Sequence, residues 1–338
     1  MKESIFLSCI RSFFRSFFVI LGIFFALIPI MFVLNAIIDR KDVSKKVEIN
    51  ILPDLKGETA AFSEKTPVIL KINIEGIIGE KRLTSEIIEN VLIESRKDTF
   101  KKDRVKGILL HINTPGGGVN DSDGIYRALS DYKKKYKIPI FAFVDGLCAS
   151  GGFYISASCD KIYATPVSII GSVGVMLGPF FNVYNALNKI GVESLTITEG
   201  KDKDMMNPLR RWREDESKDL QKLGSYFYNR FVSIVTQARD KITKEQLIEE
   251  YGAKVFDSMT AKNLGYIDNG DSDYKETLRE LLKEAKIDEK KPYQIVEIQP
   301  KKRWISEIFN ESIFIKRLFP YFTIKDSFLY LYLPRNNG

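Results

Sequence analysis

A chain of 338 residues with 44% hydrophobic side chains can bury one large core or two modest ones, which excludes an intrinsically disordered protein. Its 51 basic and 44 acidic residues leave a formal charge of +7 spread along the whole length, a solvated surface that suits an anionic membrane but forms no nucleic-acid-binding stripe. The three cysteines, Cys9, Cys148 and Cys159, form no Cys-x-x-Cys pair or Cys/His cluster, so no metal site is expected, and the single histidine, His111, limits any Ser/His/Asp triad to one residue.

In chain order, residues 1–15 form a basic leader, and residues 16–38 contain no charged side chain. As a helix that run of about 23 residues would reach about 35 Å, enough for a hydrocarbon core of about 30 Å. It reads as a membrane anchor; a cleaved signal peptide would have a shorter apolar stretch and an Ala-x-Ala site after it. Basic residues stand on both sides, Arg11 and Arg15 before and Arg40 and Lys41 after, so charge does not set the orientation. Residues 39–66 are polar without a sustained period and read as a linker.

A folded domain is then expected from Pro67. Strands are predicted at Val68–Ile74, Val105–Asn113 and Ile138–Val144, with helices at Glu86–Ser95 and Asp121–Tyr136. Shorter strands at Lys161–Ala164 and Val192–Thr198 flank a helical run Phe181–Lys189, and the chain is mainly helical from Trp212 to Ala285. Strands alternating with helices imply an α/β fold with mostly parallel pairing. His111 lies inside a predicted strand and reads as an ordinary strand residue, which leaves a serine nucleophile in need of another base. Residues 286–338 form an extension rich in aromatics, among them Trp304, Phe309, Phe314, Tyr321 and Tyr330 beside Lys316 and Arg317. That composition fits an interfacial element, packing on the domain, or a segment lying in an apolar groove.

Three constellations carry chemistry. Asn113-Thr114-Pro115-Gly116-Gly117-Gly118 follows a strand and precedes a helix, and its glycines allow a ligand close to the backbone amides. The turn lacks the Gly-Lys-Ser/Thr ending of a nucleotide-binding loop. Ala149-Ser150-Gly151-Gly152-Phe153-Tyr154 places a serine at a helix entrance among small neighbours; taken alone it could equally be a helix N-cap. The third is Gly200-Lys201-Asp202-Lys203-Asp204, ahead of Pro208.

These three motifs in this order, together with Ile170-Gly171-Ser172-Val173-Gly174 between the second and third and Val255-Phe256-Asp257 after the third, resemble the signal peptide peptidase A family in its short, single-catalytic-domain form. The resemblance covers about residues 67–284. It implies a crotonase-like, Clp-protease-like α/β domain behind one N-terminal transmembrane helix. By motif, Ser150 would be the nucleophile and Lys203 the general base; the Gly117 and Gly151 amides would bind the oxyanion, with Gly116 as neighbouring candidate, and Ser172 would orient the lysine. Lys201 competes for the base role, because Asp202 stands where the family often has an aromatic residue. The resemblance further implies a ring-shaped homo-oligomer, signal-peptide remnants as substrates, no cofactor, and a single-pass protein whose catalytic domain is extracytoplasmic. An acyl-CoA hydratase or thioesterase on the same fold, and a non-catalytic membrane scaffold, are the alternatives.

Overall fold

The computed structural model describes residues 10–23, 25–27, 47–59, 66–80, 83–101 and 103–300. The chain divides into two compact units, 47–299 and the pair of flanks 1–46 with 300–338. In the flanking unit the described part is helix α1 (Ile10–Leu27), long and apolar enough to cross a membrane by length and composition. Its described residues begin at Ile10, before Ser16, so Arg11 and Arg15 lie within the helix. The rest of the expected anchor, 28–38, and the aromatic extension from 301 onward lie outside the described residues.

The larger unit is built on a sheet of order β1-β8-β2-β3-β4-β6-β7, with β5 beside β4. Its centre is β2 (Val68–Glu75), β3 (Val105–Thr114) and β4 (Ile140–Ala149), all parallel. Continuous apolar runs such as Val68-Ile69-Leu70 and Ile108-Leu109-Leu110 are buried on both sides, as a parallel sheet covered by helices requires. Leu70, Ile72, Leu110, Ile112 and Val144 share one core with side chains from α2 (Ser85–Glu94), α3 (Val119–Tyr136), α4 (Gly151–Ser156) and α6 (Glu216–Ala238). Ile69, Leu109, Phe141 and Phe143 pack on the other face against Leu278, Leu281 and Leu282 of α8 (Tyr274–Glu284). The helices start where the sequence offers caps: Thr84 accepts from Ile87 N, and Asp273 accepts from Glu276 N at 2.7 Å.

The sheet is wider than the segment 67–285 expected to fold. Strand β1 (Val47–Leu52) lies within the expected linker, and β8 (Gln294–Pro300) within the expected extension. The reason is edge protection. β2 would otherwise end the sheet with a row of unpaired backbone groups, and β8 pairs with it in parallel, Val68 opposite Gln294 and Leu70 opposite Val296. β1 then covers β8.

On the other side, the strand expected at 161–164 forms as β5 (Lys161–Ala164) and pairs with β4, and the end of β4 pairs with β6 (Ile169–Gly171), which runs antiparallel to β7 (Val255–Asp257). Helix α5 (Tyr184–Lys189) is shorter than the run predicted there, and α7 (Ser258–Leu264) follows β7. The strand expected at 192–198 does not form. Leu195 and Ile197 are each 86% exposed, and an alternating segment without a partner strand cannot satisfy its backbone.

Candidate active site

β2, β3 and β4 end on one edge of the sheet, the side where open α/β sheets bind ligands, and the first two constellations sit there. Past the end of β3 the glycine turn is held by Thr114, whose hydroxyl donates to Gly76 O at 2.5 Å and accepts from Gly116 N at 3.0 Å. Ile78 forms a parallel bridge with Gly117 by donating to Gly116 O at 3.0 Å and accepting from Gly118 N at 2.9 Å. In a parallel bridge the central residue turns its own N–H away from that partner, so the Gly117 amide points out of the pairing. Gly116 has φ +101°, and a Cβ there would stand 2.8 Å from both Gly151 N and Ser150 Cβ. Side-chain-free backbone is what lets the turn rest against the serine.

Ser150 occupies the sharp turn between β4 and α4 at φ 52° and ψ −119°. A non-glycine residue held there costs about 1–3 kcal/mol of backbone strain, which the surroundings must impose. They do so through Ser150 N, which donates to Gly171 O at 2.9 Å, and Ser150 O, which accepts from Tyr154 N at 2.9 Å. The serine hydroxyl makes no capping bond to the helix, so the ordinary N-cap role is not what this residue performs. Gly151 N–H is the first amide of α4 and has no place in the helical ladder. A Cβ on Gly151 would come 2.3 Å from Ser122 Oγ, and one on Gly152 2.5 Å from Thr114 Cγ2, so the small residues beside the serine are required by close packing on α3 and β3.

Ser172 directly follows β6, whose Gly171 stands opposite Ala149 and whose Gly171 O accepts from Ser150 N. It too has positive φ, 55°, fixed by Ser172 N donating to Lys254 O at 2.7 Å. Helix α4 is tied down from behind. Tyr154 Oη donates to Asp123 Oδ1 at 2.5 Å, Arg230 Nε donates to the same oxygen at 2.9 Å, and Arg127 Nε stands 2.8 Å from Asp123 Oδ2. Burial pushes the Asp123 carboxyl up, but the bonds from Tyr154 and Arg230 and the nearby guanidinium charges outweigh it, and its pKa falls below the ordinary value. The same desolvation, reinforced by Asp123, pushes the Tyr154 hydroxyl up.

The third constellation lies elsewhere in character. Lys201 and Lys203 are exposed on the loop between α5 and α6. Asp202 pairs with Arg213 at 2.6 Å and Asp204 with Arg210 at 2.5 Å, so the carboxylates flanking Lys203 are engaged by arginines. The Arg210 bond holds the Asp204 carboxyl below its ordinary value and raises the guanidinium in return.

His111 faces the α8 side of the sheet, stacked on Phe143 with centroids 5.7 Å apart. Its Nδ1 lies 3.1 Å from Glu75 Oε1 without hydrogen-bond alignment, and its Nε2 lies 3.7 Å from Asp145 Oδ2. Ser150 and α4 belong to the opposite core, so this histidine is a strand residue as expected. Cys148 and Cys159 are free, buried thiols, each pushed up to about 12 by desolvation. Among the described residues no group of His, Cys, Asp and Glu is arranged to hold a metal ion.

Comparison with known proteins bears on this geometry. Residues 132–288 match peptidase family S49, and residues 71–170 match Clp protease. The chain is 34% identical over 242 residues to an Enterococcus faecium protein named for signal peptide peptidase SppA, spanning 69% of this chain and 68% of that one. The chain belongs to peptidase family S49. A Methanocaldococcus jannaschii protein named as a protease is 33% identical over 194 residues, 57% of this chain and 60% of its own length. A solved membrane-bound stomatin-specific protease aligns with TM-score 0.41 and 17% identity over 70% of this chain and 99% of its own.

As an S49 member the protein is a serine peptidase, which sets aside the hydratase and thioesterase reading. The S49 match contains Ser150, Gly151, Ser172 and Lys203; the Clp protease match contains Gly116, Gly117 and Ser150. Sequence reasoning passed over Thr114, Ser122 and Asp123, which shape the turn and anchor α4. Their type is common and their partners are distant in sequence, so only the fold reveals them. It also passed over Arg210, Arg213 and Glu216, although their density just after the lysine motif was a usable signal.

Proposed function

We propose that this S49 peptidase is a membrane-anchored endopeptidase that uses Ser150 as nucleophile and Lys203 as general base to degrade apolar peptides, signal-peptide remnants first among them. The observation that carries the reading is the Ser150 turn: a strained serine released from capping, backed by Gly116 and followed by the Gly151 amide at the start of α4, with the neighbouring Gly117 amide turned out of its bridge to Ile78. Ser150 Oγ attacks the scissile carbonyl and passes its proton to the Lys203 amine, while the two amides take the oxyanion. The lysine returns the proton to the leaving amine, and then activates the water that releases the acyl-enzyme. Ser172, one residue past the Gly171 that bonds Ser150 N, holds the amine in line.

A free lysine is neutral in only about one molecule in 2,500 at pH 7, so the base must be desolvated. Lys203 is exposed in the single chain, and the missing apolar surface is supplied by substrate and by a second copy in a ring-shaped homo-oligomer. The segment before the lysine supports that assembly: Met176, Phe181, Ile190, Leu195 and Ile197 are each more than 70% exposed. Helix α1 supports a single-pass anchor, and the catalytic unit is extracytoplasmic in this reading.

Labelling with a fluorophosphonate tests the proposal. The wild-type protein should be labelled and Ser150→Ala should not; equal labelling of both, or no labelling of an assembled wild type that cleaves peptides, overturns it.

A further inference from the structure

Glu216, the first residue of α6, is the only carboxylate buried among the described residues, its side chain 1% exposed in a stretch that is otherwise largely exposed. A buried carboxylate is costly unless charge and hydrogen bonds compensate it. Here every compensating group comes from the lysine loop. Arg210 Nη2 donates to Glu216 Oε1, Arg213 Nη2 stands 3.3 Å from the same oxygen, and Met206 N donates to Oε2 at 3.3 Å. The two arginines are in turn the partners of the carboxylates on either side of Lys203. Arg210 grips Asp204 with Nε at 2.5 Å and Nη2 at 3.0 Å, and Arg213 holds Asp202 at 2.6 Å. The chain of contacts runs from the helix, through two guanidinium groups, to the residues adjoining the lysine.

The arrangement meets a chemical need. A carboxylate close to a lysine amine stabilises the ammonium and raises the pKa that a general base must have lowered. Asp202 and Asp204 are the nearest carboxylates in sequence to Lys203, and both are committed to arginines anchored on one buried glutamate.

We propose that Glu216, acting through Arg210 and Arg213, is a positioning residue for Lys203: it fastens the lysine loop to α6 and keeps Asp202 and Asp204 off the lysine amine. This rests on Lys203 being the base of the dyad proposed above. The full-length protein, assayed with a fluorogenic apolar peptide, tests both levels separately. Lys203→Ala must be inactive while folded; if it is active, the dyad reading itself falls.

Given an inactive Lys203→Ala, Glu216→Gln should lower kcat about tenfold with KM nearly unchanged, and Arg210→Gln should move the ascending limb of the pH–rate profile up by about one pH unit. Adding Asp204→Asn to Arg210→Gln should bring the limb back, an outcome a merely structural role would not produce. If Arg210→Gln does not fold, Arg210→Lys carries the same pair of measurements, since lysine cannot reproduce the two-pronged grip. An unmoved limb in the folded arginine variant, or a limb that Asp204→Asn fails to restore, overturns the inference.

Discussion

The two halves of the proposed catalytic apparatus are built by different physics. The serine half is cast in packed backbone: Ser150 is held between Gly171 O and Tyr154 N, Gly116 lies against it, and α4 is anchored through Asp123. The lysine half rides on an exposed loop whose order comes from charge pairs around Glu216. In the proposed reading the serine turn and its neighbouring amides are therefore set within a single chain, while Lys203 would acquire dry surroundings only when something covers it.

Removing either chemical group should give the largest effects. Lys203→Ala should reduce peptide cleavage on the order of 10³-fold or more with the circular dichroism spectrum unchanged, whereas Lys201→Ala should retain most activity. A working Lys203→Ala with a dead, folded His111→Ala would reverse the comparison, because the base would then lie on the α8 face of the sheet.

Next in size is the packed half. Gly151→Ala puts a methyl 2.3 Å from Ser122 Oγ and should lower stability by about 1–3 kcal/mol. It should also cut kcat by about 10²-fold through the displaced oxyanion amide. Adding Ser122→Gly, which vacates that oxygen, should recover much of the stability in a urea titration. No recovery would mean that the contact is not what constrains the turn.

The exposed half should respond in assembly and not in fold. Leu195→Asp or Ile197→Asp should leave the secondary structure intact but shift sedimentation toward smaller species, with loss of activity in proportion. Wild-type sedimentation and activity in both variants would separate the apolar arm from the base's desolvation.

The smallest effect concerns pH. Asp204 has its folded pKa depressed by Arg210, so its contribution is present above the ordinary carboxylate value and is lost only as pH falls through the lower, folded value. Trp212, whose Nε1 donates to Asn207 O at 2.8 Å, reports on the same loop. With Trp304→Phe removing the second indole, its fluorescence should stay flat from pH 8 to about pH 5 and change only below the usual range. A transition near neutral pH would show that the loop itself opens there, and that the ascending limb of activity is not the lysine alone.

Strand periodicity and glycine signals were local, and they carried far. The sequence placed β2, β3, the start of β4, α2 and α3 within a residue or two, and located the strand-to-helix turns at Ser150 and Gly116–Gly118, because each depends on neighbours within one element. Strands β1 and β8 were read as linker and extension, since short strands that exist to cover an edge have no distinctive pattern until their partner is known. The alternation at 192–198 misled for the converse reason: the pattern was present and the partner was not.

By itself, then, the sequence determined the residue types of a serine peptidase and their order along an α/β chain. Only the tertiary structure decided that Gly116 touches the serine turn, that Gly171 O holds Ser150 N, and that a buried Glu216 gathers the arginines around the lysine motif. The physical reason is the same in each case. Close approach, register and the pairing of a buried charge are relations between residues far apart in the chain, and they acquire an energy only when the sheet and its helices have brought those residues together.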